Sequence, residues 1–403
     1  MPTKSFEVKR CILSLFYFVL CFVLTRQLPL SLYMPSALSL SLVGFLVGFI
    51  FLYINKIKLD HRFVLLIAYL VIVLMFSLIN SNDLSALPRF LFIVLLINLV
   101  LILPFYKLNL SSAFNTAFLV HALFLIGFEI YLLIFFSGKD YTIIRQFFLS
   151  NNFGDVYTYS GYFYRIQIVG NALIPFAFMI SYFNYRVNKG RLSFVVLYLL
   201  ACIIAANLMF IIAIGFFVAL FEIIKSNAKF RLSTKNLFVL FVMVVSVPFV
   251  VDFIYSNILL KLVGGGSSSL GTRFDQAYAL MQGLTENYYN IFFGQGLGSK
   301  LYIVTPVRDY SSFIYYELQS IYIFYQIGIV GFFLLAVLHF YLFLYVCKNK
   351  YLILIYSMYV FYAITNPYMF DTTQVVALIY LVSLSRSTER SDFNKLDHQL
   401  VNS

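Results

Sequence analysis

Long apolar runs separated by short polar clusters recur along almost the whole chain. They cover residues 11–28, 35–54, 63–80, 89–105, 113–136, 167–185, 193–224, 236–255, 320–346, 351–366 and 373–385. A hydrocarbon core about 30 Å thick is crossed by about 20 apolar residues in an α-helix. Most runs are therefore single crossings, predicted as helices. The run 193–224 is different: its 32 residues are long for one crossing and short for two. Charge decides between them. If the run turns back near Asn207, 19 of the 28 basic residues face the cytoplasm; if it crosses once, the split is 14 to 14. The excess of Lys and Arg in cytoplasmic loops favours two crossings. Two helices of about 16 residues rise only about 24 Å each, so this hairpin is thin or partly re-entrant.

The pattern predicts an all-α polytopic integral membrane protein. It is a single transmembrane domain over 1–403 with about 12 transmembrane helices and both termini cytoplasmic. Two long external loops, 137–166 and 256–319, and a cytoplasmic tail, 386–403, complete it. The second loop contains a flexible run, Gly264-Gly265-Gly266-Ser267-Ser268-Ser269. Lys4, Lys9 and Arg10 precede the first run, which reads as an uncleaved first span.

Composition narrows the class further. Hydrophobic residues make up 62% of the chain and charged residues 11%, too little polar surface for a water-soluble globule of this size. This excludes a soluble enzyme, a disordered chain and a nucleic-acid-binding domain. The net charge of +12 fits basic cytoplasmic loops. Trp is absent, leaving Tyr to form an interfacial aromatic belt. Cys11, Cys21, Cys202 and Cys347 lie in or beside apolar runs without a CxxC pair, so neither a disulfide framework nor a zinc site is expected.

Few ionisable groups fall within the runs: His121, Glu129, Glu222, Asp252 and His339. His121 and Glu129 are two helical turns apart on one face. That spacing suits a proton relay or, more simply, a pair of helix-packing hydrogen bonds. Polar residues gather instead in the two long loops. The first holds Lys139, Asp140, Arg145, Asp155 and Arg165 among Tyr141, Tyr157, Tyr159, Tyr162 and Tyr164. The second holds Lys261, Arg273, Asp275, Glu286, Lys300, Arg308, Asp309 and Glu317 with seven further tyrosines. External arginines oppose the positive-inside bias, and an anionic headgroup gives them a reason. A guanidinium grips phosphate oxygens bidentately, each charge-assisted bond contributing about 1.5–3 kcal/mol. Tyrosine suits sugar rings as well as the membrane interface.

Two local patterns carry the most information. Arg273-Phe274-Asp275-Gln276-Ala277 is followed by Phe292-Phe293-Gly294-Gln295-Gly296-Leu297-Gly298, whose glycines allow a tight turn or a close approach to a ligand. Tyr316-Glu317-Leu318-Gln319-Ser320 opens a run that continues to Gly328-Ile329-Val330-Gly331. Glu317 there either complements a helix N-terminus or acts as a general base. Together with Arg165, Gly170-Asn171 and Ile364-Thr365-Asn366-Pro367-Tyr368, these features resemble the O-antigen polymerase and ligase superfamily. Where the ligase branch has His-Asn before the same glycines, this chain has Glu317-Leu318, which is similar to the polymerase (Wzy-type) branch. The family's Ser-Arg turn between the two short central spans is replaced by Ala205-Ala206-Asn207-Leu208.

The resemblance implies a membrane glycosyltransferase in the bacterial plasma membrane. It would polymerise undecaprenyl-pyrophosphate-linked oligosaccharide repeat units into surface polysaccharide, O-antigen or capsule, at the outer face. It implies metal-independent inverting transfer without a cofactor, the company of membrane lipids, a chain-length regulator and a flippase, and no nucleic-acid partner. Glu317, Arg273 and Arg165 become the expected catalytic residues. Arg145, Arg308, Tyr316 and Gln319 become expected substrate contacts. Two alternatives stay open: a flippase or exporter of lipid-linked oligosaccharide, expected to have cations facing a midspan cavity and two pseudo-symmetric halves, and an O-antigen ligase. A membrane acyltransferase is a more distant one, with His121 as its only foothold.

Overall fold

The computed structural model describes residues 61–83, 111–151, 153–158, 163–226, 269–301, 318–346, 349–364 and 371–389, together with isolated positions 25, 97, 304, 309, 311, 366, 368 and 369. The expected spans over 11–28, 35–54, 89–105 and 236–255 lie outside these residues, apart from single positions. The described chain is predominantly helical. Its helices are α1 (His61–Ile79), α2 (Ser111–Phe136), α3 (Thr142–Ser150), α4 (Ile174–Arg186), α5 (Leu192–Ala205), α6 (Leu208–Ser226), α7 (Ser269–Thr285), α8 (Tyr288–Phe293), α9 (Gln319–Val346), α10 (Lys350–Ile364) and α11 (Thr372–Glu389). Among the described residues, α2, α6 and α9 are long and apolar enough to cross a membrane, and α1, α5, α10 and α11 contain shorter apolar segments. The protein is a helical membrane protein.

The hairpin anticipated at Asn207 is present. Ala206 adopts a left-handed conformation (φ 48°, ψ 34°) and closes α5 through its N–H to Cys202 and Ile203. The Asn207 side chain then accepts the Met209 N–H at 3.0 Å and starts α6. The direction of return is fixed at the far end. Glu222 of α6 accepts Tyr182 Oη at 2.7 Å and pairs with Arg186 at 2.5 Å. Arg186 ends α4, and only five residues connect it to α5. The segment 192–226 therefore leaves and returns to the same end of the bundle. That end gathers Arg186, Lys189, Arg191, Lys225 and, through Tyr351 packed with its ring centroid 4.9 Å from that of Phe221, Lys350. We call it the basic end. Helix α5, with 14 residues, rises about 21 Å, less than a hydrocarbon core, as the length of the run foretold.

The first long loop departs from the all-helical expectation. After the short helix α3, the chain forms an antiparallel hairpin, β1 (Gly154–Thr158) and β2 (Tyr164–Ile168), with Tyr157 opposite Arg165. A 3-10 turn over Val169–Leu173 leads into α4. Helix α4 has 13 residues where the apolar run suggested a helix from 167. It rises about 20 Å, so the 3-10 turn and the end of β2 extend it at the end away from Arg186. Non-helical backbone at that depth is tolerated when protein surrounds it, and Tyr164, Ile166, Ile168, Ala172 and Leu173 are all buried.

Tyrosine has a larger internal role than a belt. Tyr164, Tyr322, Tyr356, Tyr359, Tyr362 and Tyr380 are fully buried. Their rings pack edge-on with neighbours such as Phe176, 5.7 Å from Tyr380 and 6.1 Å from Tyr359. Their hydroxyls find acceptors: Tyr380 donates to Asn115 at 2.9 Å and Tyr362 to the Ala172 carbonyl at 2.7 Å. A buried hydroxyl without a partner is costly, so these rings also tie separate elements together.

The glycine-rich turn after α8 is a joint. Helix α9 is interrupted at Gly328 (φ 65°, ψ −173°), which leaves the carbonyls of the preceding turn without their i+4 donors. Gln295 N–H donates to Tyr325 O and Gly296 N–H to Gln326 O, both at 3.0 Å, and Tyr69 Oη donates to Ile327 O. The glycines make their close approach to backbone. A Cβ on Gly294 would lie 2.3 Å from Gln326 O, and one on Gly298 would lie 2.0 Å from Asp83 O. Asn80, Asn82 and Asp83, beyond α1, complete the joint by bonding Gln295 O and the Gly298 carbonyl.

Gly298→Ala combines that clash with a φ of +79°. It is expected to destabilise the purified protein by about 2 kcal/mol or more, seen as a melting temperature several degrees lower. Gly215→Ala, in open helical surroundings, serves as the neutral comparison. Equal melting temperatures would refute the joint.

Candidate functional site

The end opposite the basic end carries the unusual polar groups. Arg165 precedes α4 and Arg186 terminates it, so the two arginines lie at opposite ends of that helix. Helices α9 and α11 both begin at the Arg165 end. Helix α9 finishes four residues before Lys350, on the basic side, and α11 follows the turn in which Asn366 bonds Asn207 at 3.0 Å.

The hairpin is held there by the two ionisable residues of α2. Glu129 Oε1 accepts the Tyr164 N–H at 3.0 Å. His121 Nε2 lies 3.0 Å from Asn171 Oδ1, and Asn171 donates in turn to the Ile166 carbonyl at 2.7 Å. Tyr164 Oη donates to the Phe136 carbonyl at the end of α2. Gly170 is needed because a Cβ would meet the His121 ring at 2.5 Å. His121 and Glu129 thus share a face as their spacing predicted, but each bonds the hairpin. Of the two readings of that spacing, packing hydrogen bonds describe the geometry.

Pinning β2 buries both of its faces. Tyr164, Ile166 and Ile168 point one way, and Arg165, on the other face, is only 8% exposed. Its guanidinium carbon lies 5.9 Å from the Tyr157 ring centroid across the hairpin, within cation–π range. Arg145 is differently placed. It sits on α3 in a two-point ion pair with Asp155, at 2.8 and 3.0 Å. The carboxylate pushes the Arg145 pKa upward and already occupies the fork that an anionic substrate would take. The pair is partly exposed, where such bridges contribute little to stability. Its role is to tie α3 to β1.

The other expected site residues divide in two. Glu317, Arg308 and Tyr316 lie outside the described residues. Arg273 is the fifth residue of α7, three residues before Gln276, and its side chain is likewise outside the described residues. Gln319 is the first residue of α9. Its Oε1 makes no hydrogen bond, and neither does Ser320 Oγ beside it or Thr372 Oγ1 at the start of α11. Sequence reasoning missed Gln276, whose side chain is fully buried with both amide atoms unbonded. The signal was available: Gln276, Leu280 and Leu284 form an i, i+4, i+8 stripe whose leucines pack against Tyr322 and Tyr325 of α9.

Two cavities accompany these groups. A polar one of about 320 Å³ lies between α7 and α9, lined by Gln282, Glu286, Lys300 and Tyr325. An apolar groove of about 500 Å³ runs between α9 and α10 from Ser320 past Phe332, Leu335 and Phe343. His339 lines this groove. Its Nδ1 lies 2.8 Å from the Leu335 carbonyl, which only a ring N–H can satisfy, so Nε2 accepts from Gln374 at 2.7 Å. Chemically, the Arg165 end offers a buried cation, free amide and hydroxyl groups, a polar cavity and an apolar groove, which together suit an anionic, hydroxyl-bearing molecule with an apolar tail.

No protein-family model, curated protein or solved structure matches the chain.

Glu129→Ala removes the acceptor of a buried N–H and is expected to cost about 1–3 kcal/mol, measured by thermal unfolding. Glu129→Gln keeps an acceptor oxygen and should lose well under half of that. Equal losses in the two variants would show that the carboxylate's charge, and not its hydrogen bond, holds the hairpin.

Proposed function

We propose that this protein polymerises lipid-linked oligosaccharide repeat units at the outer face of a bacterial plasma membrane. In this reading the chain has about 12 spans, and the basic end faces the cytoplasm under the positive-inside rule. The Arg165 end then faces outward, where undecaprenyl-pyrophosphate-linked glycans are presented. The observation that carries the reading is the burial of Arg165 at the end opposite the basic cluster. An arginine held by the hairpin beside Tyr157 at that end runs against the topology bias and supports a site for an anionic group such as a diphosphate. The apolar groove beginning at Ser320 supports a polyprenyl carrier, and the unbonded Gln276, Gln319 and Ser320 groups support a ligand rich in hydroxyls.

The reaction is a glycosyl transfer. A hydroxyl of the incoming repeat unit attacks the anomeric carbon of the growing chain, opposite the pyrophosphate. The new glycosidic C–O bond forms as the bond to pyrophosphate breaks, with inversion. Glu317 takes the hydroxyl proton, and undecaprenyl pyrophosphate leaves with the electron pair. Arg165 and Arg273 neutralise the charge that grows on its oxygens. Arg308, Tyr316 and Gln319 contact the substrates. Arg145, already paired, contributes through the placement of the hairpin.

Deleting the gene is expected to leave single repeat units on the surface acceptor, whereas loss of a flippase would leave none and loss of a ligase would leave polymer unattached. Restoring the gene as Arg165→Ala, Arg273→Ala or Glu317→Gln should lower polymerisation by about two orders of magnitude, with the variant proteins present at normal levels. Wild-type chain length from both Arg273→Ala and Glu317→Gln would refute the assignment.

A further inference from the structure

Helix α7 has three faces. Gln276, Leu280, Gly283 and Leu284 turn inward and are buried. Asp275, Gln282 and Glu286 form an exposed polar edge. Between them runs an exposed apolar edge of Phe274, Tyr278 and Met281, the first two 72% exposed, at the i, i+4, i+7 spacing of one helical stripe. Helix α8 extends it with Tyr288, Tyr289 and Phe292, which are 83%, 70% and 51% exposed. A patch of this size seldom faces water without a partner.

The level of the patch identifies the partner. Below the break at Gly328, α9 runs from Ile329 to Val346, and Lys348 and Lys350 follow. These 18 residues rise about 27 Å, close to the hydrocarbon thickness of about 30 Å. Gly328 therefore sits at the membrane–water boundary away from the basic end. Helix α8 is fixed at the same level, because Phe292 and Gly294 pack directly on Gly328. Immediately below, α9 exposes Ile329, Phe332, Phe333, Val337 and Phe340, an apolar strip suited to lipid at the level just under α8. Phe and Met offer no hydrogen bonds to a saccharide, whereas aromatic and Met side chains suit the boundary between headgroups and acyl chains, and in a chain without Trp the tyrosines take the belt position.

We infer that α7 and α8 lie on the membrane surface with their aromatic edge in the lipid interface, making this part of the long second loop a membrane-docked platform. The inference rests on the membrane reading and is independent of the polymerase reading. On the latter it acquires a purpose, since it anchors α7, which carries Arg273, to the surface on which a lipid-linked substrate is presented.

The absence of Trp makes the test direct. Tyr278→Trp, Tyr289→Trp and, on the polar edge, Gln282→Trp each create a sole tryptophan, excited selectively over the tyrosines, in the full-length protein reconstituted in phosphatidylcholine–phosphatidylglycerol vesicles. With lipids brominated near the head of the acyl chain, emission at positions 278 and 289 should fall about twofold or more and resist iodide. Emission at position 282 should behave in the opposite way. Phe292→Trp repeats the measurement should either tyrosine variant fold poorly. Iodide quenching at 278, 289 and 292 equal to that at 282, without bromolipid quenching, overturns the inference. Shielding from iodide only on addition of oligosaccharide overturns it in favour of a glycan platform. Because no step requires turnover, an inactive protein would leave the result intact.

Discussion

Inside a bilayer every backbone N–H and C=O must be bonded within the protein, and each interruption of helix here is organised around that requirement. Gly328 breaks α9, and the stranded carbonyls are taken up by Gln295, Gly296 and Tyr69. Ala206 and Asn207 break the α5–α6 run, and Asn207 caps one helix while its amide bonds Asn366 in a distant turn. The extended entry into α4 is secured by Glu129 on the Tyr164 N–H and by Asn171 on the Ile166 carbonyl. At Gly328 and at Tyr164 the substitute partner comes from far along the chain, and at Asn207 the residue that caps the helix also reaches a distant turn, so each break also fixes which elements sit together. All three repairs tie elements that carry residues of the candidate site.

That constraint also explains what the sequence disclosed. The turn at Asn207 was legible because charge reports topology without knowledge of packing: the basic residues of the chain gather in excess on one side only if the run turns back, and the Arg186–Glu222 pair brings its ends together. Helix positions were legible from long apolar runs. The hairpin was not, since strands of five residues are too short for alternation to stand out, and the boundary between the expected loop 137–166 and the apolar run from 167 falls inside β2. The glycines of 294–298 revealed a close approach but not its object. Nothing local distinguishes a glycine that admits a ligand from one that admits a broken helix. The tyrosines misled for a related reason: a phenol serves equally at an interface and in a core whose carbonyls need donors, and Tyr359, Tyr362 and Tyr380 belong to the core.

For the site, arginine content was informative and arginine role was not. Arg145 and Arg165 are indistinguishable as external arginines in sequence. In the fold, one is held at the surface by Asp155 and the other is enclosed by the hairpin. His121 and Glu129, conspicuous as intramembrane ionisable residues, turn out to be the supports that enclose it. Chemistry and scaffold are thus exchanged relative to first appearances: the intramembrane charges build, and the proposed catalysis falls to the loops.

Everything functional depends on the two ends of the bundle facing opposite compartments. Cysteines placed singly at Lys139, beside the hairpin, and at Lys189 and Lys229, flanking the α5–α6 pair, in a background lacking the four native cysteines, can be labelled in intact cells with a membrane-impermeant thiol reagent. The account predicts labelling of position 139 from outside, and of 189 and 229 only after the membrane is opened. Labelling of 139 and 189 from the same side, or of 189 and 229 from opposite sides, would contradict it.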